Sequence, residues 1–259
     1  VTMTLVTLGI VQGREWGWSS AGVVAALAAG GVFTVVFLWR CALHPEPILP
    51  LELFRVRTFT VAVAATFVFN VATGSVLLAW VLFLGDVWEY DTLATGLLLL
   101  PGPVVVATTA PFIGRLADRI GYRPLAVPGG LLFAAGLAQF AFTIGPDREI
   151  WTVWMPTQLL VGLGFAFVLR VMSAATVADV APSQLSVATA TNQSIRQLAG
   201  AIGVALVVAV IGNPTDAEAL TVFDRVWWRL ASFGAATAVL SLALAPRRGT
   251  LAQVPDARG

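Results

Sequence analysis

The chain has 259 residues, 58% of them hydrophobic and 11% charged, with a formal net charge of +1. Soluble domains are about 45–50% apolar and about 25% charged, so this excess is too large for one buried core and excludes an ordinary soluble domain. The basic residues are scattered rather than clustered, which excludes a nucleic-acid surface and leaves an all-α polytopic membrane protein in the lipid bilayer.

Residues 1–12, "VTMTLVTLGIVQ", carry no basic n-region and no small-residue cleavage site. They are not a signal peptide and look like the tail of a helix. Apolar runs of roughly 20 residues, the length that crosses a bilayer, then lie near 20–40, 60–84, 94–114, 125–145, 151–180, 187–212 and 226–245. Between the first two, "LHPEPILPLELFRVRT" at 43–58 is Pro-rich and charged, and reads as a linker with a short interfacial helix from Leu51 to Arg55. The expected organisation is a partial helix and one membrane helix in 1–40, a linker over 41–59, a six-helix block over 60–246, and a tail over 247–259.

The loops alternate in charge. One set carries Arg40, Arg55 and Arg57, then Arg115, Arg119 and Arg123, then Arg247, Arg248 and Arg258. The other is acidic or mixed: "REWGW", "DVWEYD", "PDREI" and "TDAEALTVFDR". The excess of arginine predicts the cytoplasmic side for the first set, and with it a cytoplasmic C-terminus. Trp16, Trp18, Trp88, Trp151, Trp154, Trp227 and Trp228 fall at predicted outer helix ends, where such rings anchor at the membrane interface.

Cys41 and His44 are single, so there is no disulfide pair, no zinc cluster and no H-E-x-x-H. There is no Gly-x-Ser-x-Gly elbow either. The sequence therefore offers no catalytic residues, no metal site and no cofactor, and an intramembrane enzyme is rejected.

Chemistry concentrates in "GRLADRIGYRP", Gly114–Pro124. Gly114 permits close backbone approach, and Gly121 with Pro124 frames a tight turn. The arginines are either topology anchors or bridges to acids on other helices. Within the spans, Arg196 shares a helix face with Asn192, and Gln193 is adjacent. It either lines a cavity or gate, or snorkels to the cytoplasmic interface. Gly200 and Gly203 continue that side as a strip for close helix packing. Arg170, a further cavity or gate candidate, has no acid one turn away on its helix, so any partner comes from another helix or from the other half. Asp179, at a helix end, either pairs with Arg119 or Arg123 or is simply solvated. Asn70, Gln139 and Gln158 are expected to hydrogen-bond between helices.

The stretch "GRLADRIGYR" resembles the G-x-x-x-D-[RK]-x-G-[RK]-[RK] loop signature of the major facilitator superfamily. Gly114, Asp118, Arg119, Gly121 and Arg123 match, and Tyr122 departs. The resemblance implies that Asp118 latches one half of a transporter to the other. "GREWGW", "PILPLELFRVRTF", "TGLLLLPGP" and the run from Gly162 to Leu206 look like the C-terminal half of the fourteen-helix drug:proton antiporters of the EmrB/QacA type. That implies a plasma-membrane efflux transporter of hydrophobic or cationic small molecules, coupled to protons and working by alternating access. It also implies a missing N-terminal half or partner chain, without which this chain would not transport. Gly85 stands where the type has Gln, Glu89 where it has Gly, and Arg170 where it has an apolar residue or Pro. No Asp or Glu lies near the middle of a predicted helix, so the proton carrier is expected in the other half.

Overall fold

The computed structural model describes residues 20–43, 51–212 and 216–244. Expectations for residues 1–12, Trp16, Trp18, His44, the centre of the linker and the tail with Arg247, Arg248 and Arg258 lie outside the described residues.

Helix α1 spans Ala21–Leu43. A 3-10 turn, Leu51–Arg55, stands where the short interfacial helix is predicted. Its Leu53 is buried against Phe59, Val63 and Ala188, while Glu52 and Arg55 are exposed, which anchors the linker's end on the bundle. Helix α2 follows from Arg57–Leu82 and widens into a π turn, Phe83–Val87. Next come α3, Thr92–Leu99, and α4, Pro101–Ile120. They are two helices where the sequence suggests one, because Pro101 and Pro103 donate no N–H and interrupt the ladder. Helix α5 is Arg123–Thr143. A π turn, Ile150–Trp154, leads into α6, Met155–Val177, and then come α7, Leu185–Ile211, and α8, Asp216–Ser241.

Five spans among the described residues are long and apolar enough to cross a membrane: Arg57–Val87, Thr92–Ala117, Arg123–Thr143, Ile150–Val177 and Pro182–Ile211. Helix α8 completes the bundle but begins well before the expected 226–245. The segment read as a loop is helical from Asp216, so Asp224, Arg225 and Arg229 lie inside a helix. Phe223, Val226, Trp227 and Leu230 are buried at the i, i+3, i+4, i+7 spacing of one helix face. The charges on the opposite side lower the average hydropathy and hide that face. Helix α5 packs on both α6 and α8, α2 on both α7 and α8, and α4 on α6.

One end of the bundle is built from aromatic rings. Phe83 meets Trp88, Phe140, Phe223 and Trp227 at centroid separations of 5.2, 5.5, 5.4 and 6.3 Å. Trp154 meets Trp80, Trp88 and Phe140 at 5.6, 5.9 and 5.6 Å. This corrects the interfacial reading of the tryptophans. Trp88, Trp154 and Trp227 are 1%, 0% and 0% exposed and belong to the core, whereas Trp151 and Trp228 remain at the surface. Buried and interfacial sites both offer a ring an apolar surface, so position near a helix end does not distinguish them.

At that same end Arg148 ties two loops together. Its Nη2 lies 3.8 Å from a Glu89 carboxylate oxygen and its guanidinium lies 4.9 Å from the Tyr90 ring centroid. Glu89 holds φ at 51°, a left-handed conformation that favours glycine. Glu89→Gly is therefore expected to stabilise the protein by up to about 1 kcal/mol, because the lost exposed ion pair is worth less than the relieved strain. Thermal denaturation in detergent checks this, and a lower melting temperature would show that the pair with Arg148 outweighs the backbone.

Candidate functional site

The stretch from Gly114 to Ile120 is helical, and the turn proper is Gly121–Tyr122. Gly121 holds φ 89° and ψ 177°, a region essentially closed to side chains, while its N–H donates to the Ala117 carbonyl at 3.0 Å. Arg123 and Pro124 then open α5, where proline's missing N–H costs nothing. Arg115, Arg119 and Arg123 are exposed at this end. Asp118 sits on the last turn of α4, and its side chain lies outside the described residues.

Close packing at Gly114 is corrected, and of the two alternatives open for Asp179 the exposed helix end is the one found. A Cβ added to Gly114 would meet nothing within 4 Å, so this glycine makes no close helix contact and instead lines a cavity. Asp179 lies exposed beyond the end of α6, and among the described residues no ion pair joins it to Arg119 or Arg123. Pairing exposed charges gains about 0–1 kcal/mol, too little to order a helix end.

The cavity beside Gly114 has a volume of about 600 Å³. Helix α4 contributes Val106, Ala107, Ala110, Gly114 and Ala117; α6 contributes Ala166, Leu169, Arg170, Ser173 and Ala174; α7 contributes Arg196. The two arginines that the sequence singles out separately thus face one chamber. Arg196 does not snorkel free of the bundle: its Nε is buried and has no hydrogen-bond partner. On its other side a void of about 10 Å³, the room of about one water, is lined by Thr66, Asn70, Ser173 and Arg196.

A second chamber of about 440 Å³ shares Val106 and Ala107 with the first. Its wall is apolar, built chiefly from Val76, Trp80, Leu99, Phe133, Val161 and Phe165. Sequence reasoning misses these residues. They come from four helices, α2, α3, α5 and α6, and each reads as ordinary core or lipid-facing surface in one dimension.

Asn192 is buried with its Oδ1 unpartnered, whereas Gln193 is exposed and lines neither chamber. One residue of helix turns a side chain by about 100°, which carries Gln193 off the Asn192–Arg196 face. The glycine strip beyond Arg196 makes the α2–α7 crossing. Ser75 Oγ donates to the Gly203 carbonyl at 2.8 Å, and a Cβ on Gly203 would overlap the Val71 carbonyl. Gln139 and Gln158 do bond between helices, to Thr157 at 2.9 Å and to the Leu98 carbonyl at 3.2 Å. Asn70 does not: its Nδ2 donates to Thr66 within α2 at 2.8 Å, because that carbonyl lies one turn below on the same helix.

The model of the Major Facilitator Superfamily matches residues 2–204. An uncharacterized MFS-type transporter of Bacillus subtilis, YcnB, is 32% identical over 202 residues, 77% of this chain and 42% of its own length. Lincomycin resistance protein LmrB of Listeria monocytogenes is 27% identical over 206 residues, 80% of this chain and 43% of its own length. Multidrug resistance protein Stp of Mycobacterium tuberculosis is 26% identical over 211 residues, 82% of this chain and 39% of its own length. The chain spans about two fifths of the length of these relatives.

Proposed function

The chain belongs to the major facilitator superfamily, and on that premise we propose that it forms the C-terminal half of a proton-coupled efflux transporter of the fourteen-helix drug:proton type. The observation that carries this reading is the pair of adjoining chambers among α2–α7, which share Val106 and Ala107, with two arginines partway along membrane-spanning helices. Charged groups at that depth are costly and mark substrate or ion pathways. In transporters of this general design, substrate binds near the midplane between two halves that rock about it. The names of the relatives, lincomycin and multidrug resistance proteins, favour export of small molecules.

In this reading α2–α8 are the six-helix unit, with α3 and α4 together making one crossing, and α1 belongs to the central pair that precedes it. Arg57, Arg119 and Arg123 face the cytoplasm, as does the C-terminus. The other half, in the same polypeptide or a partner, completes the pathway and carries the titrating acid. Gly114, Asp118, Arg119, Gly121 and Arg123 form the latch between the halves, with Asp118 as its acid.

The reading is tested in inverted membrane vesicles under an imposed pH gradient. Vesicles bearing the protein with its other half should accumulate an apolar fluorescent dye, and vesicles bearing this chain alone should match empty ones. Asp118→Asn should slow that uptake by at least about tenfold, a coupling of ordinary allosteric size, with unchanged membrane insertion. Full-rate transport by the Asn variant would remove the latch, and gradient-independent dye levels would remove the transporter.

A further inference from the structure

We propose that the two chambers take an amphipathic anion, its negative head held between Arg170 and Arg196 and its apolar body in the chamber walled by Trp80, Phe133 and Phe165. The inference rests on the reading of the cavity as a transport pathway and adds the sign of the charge that the pathway accepts.

Three observations carry it. The described lining of the larger chamber includes two guanidinium groups and no carboxylate. Among the described residues neither arginine is in an ion pair; the ion pair found there is Arg148 with Glu89, at the aromatic end. Two like charges facing one space inside a membrane repel each other and call for a counter-anion. Guanidinium groups match a carboxylate, sulfonate or phosphate in geometry and strengthen with the ionic bond.

The acid nearest in the chain is Asp179, nine residues beyond Arg170 and exposed past the end of α6, and Asp118, on the last turn of α4, lies at a different depth. It sits two residues from the end of α4, a rise of about 3 Å, whereas Arg170 is seven from the end of α6, about 10 Å, and Arg196 is eleven from the start of α7, about 16 Å. Arg196 is thus placed deepest, with a buried Nε that has no hydrogen-bond partner. The smaller chamber shares Val106 and Ala107 of its wall with the larger one and has no charged side chain in its described lining. A basic chamber with an apolar one beside it is the complement of an anionic amphiphile. A cationic substrate would meet two arginines at the same place.

The probes are a matched fluorescent pair, 1-pyrenebutanoate and 4-(1-pyrenyl)butyltrimethylammonium, which share an apolar body and differ in the sign of the head. Binding is read by energy transfer from tryptophan to pyrene, with the 259-residue chain in phosphatidylcholine nanodiscs. The carboxylate should bind at least about tenfold more tightly than the ammonium, the size of one charge-assisted hydrogen bond. Arg170→Gln, at an exposed position that the fold does not need, should weaken the carboxylate by several-fold and leave the ammonium unchanged or improved. Arg196→Gln should weaken the carboxylate more, and Arg196→Lys should restore part of it. If Arg196→Gln does not fold, Arg170→Gln alone decides the matter.

Equal or tighter binding of the ammonium overturns the inference, and so does unchanged carboxylate binding in the Arg170→Gln, Arg196→Gln double variant. The head belongs either to a free amphiphile or to an anionic lipid, which share this chemistry. Displacement of the bound probe by phosphatidylglycerol in the nanodisc assigns it to lipid, and its retention to the free molecule. Failure is separable from failure of the efflux reading. Anion binding without transport in vesicles would sink efflux and leave this site standing, whereas transport of the ammonium with no preference for the carboxylate would do the reverse.

Discussion

Gly203→Leu should prevent recovery of a folded protein, or lower its stability by at least about 3 kcal/mol, the upper end of overpacking effects. At this residue α2 and α7 cross with the Val71 carbonyl against the glycine, leaving no space for a Cβ. The obstacle is backbone, not the flexible end of a side chain, so no rotamer change relieves it. The helices must move apart. In doing so they break the bond from Ser75 Oγ to the Gly203 carbonyl, which is buried, and they lose the close packing that joins helices in lipid, where no hydrophobic drive compensates. Gly200→Ala is the control. It lies on the same strip, yet a Cβ there meets nothing within 4 Å, and removing a mid-helix glycine should be neutral or stabilise by up to about 1 kcal/mol. Thermal unfolding in detergent, followed by circular dichroism, gives both values. Similar losses for the two variants would mean that the strip as a whole, not the Val71 contact, sets the crossing.

That pair of glycines shows where sequence reading stops. The spacing of Gly200 and Gly203 predicts a packing face, and α7 does pack there against α2. Which of the two is irreplaceable depends on the offset between helices, which no one-dimensional pattern contains. Gly114 illustrates the same limit: a small residue at a helix end reads as a contact and proves to be cavity wall. The membrane spans are legible because bilayer thickness imposes a length, so α2, α5, α6 and α7 begin and end within a few residues of expectation. Helix α8 starts early because its charges share a turn with its apolar face, and averaging conceals helical periodicity. Arg170 and Arg196 are individually conspicuous as charges in apolar runs. Their meeting in one chamber is not legible, since they lie on different helices and neither has an acid to pair with along its own helix.

The same argument gives the second large effect, at the aromatic end. Trp154→Ala should cost about 3–5 kcal/mol, the range for removing a large aromatic side chain from a core. Trp154 is fully buried and packs edge-on against Trp80, Trp88 and Phe140. Its loss would leave a void among rings that cannot all close in, because each is held by other neighbours. A second cost is polar. Trp154 Nε1 donates to the Leu98 carbonyl at 2.8 Å, just before the proline break between α3 and α4. Gln158 Nε2 reaches the same oxygen at 3.2 Å, so α6 holds the break through two donors. Trp154→Phe separates the two costs. It keeps a ring and drops the donor, and it should lose about 1 kcal/mol, the worth of one neutral hydrogen bond. Trp151→Ala, three residues away and 80% exposed, should lose less than about 0.5 kcal/mol. Melting temperatures of the three variants in detergent measure this order. If Trp151→Ala proves as damaging as Trp154→Ala, the rings act as anchors at the membrane boundary and the buried aromatic end is not what holds α3, α5 and α6 together.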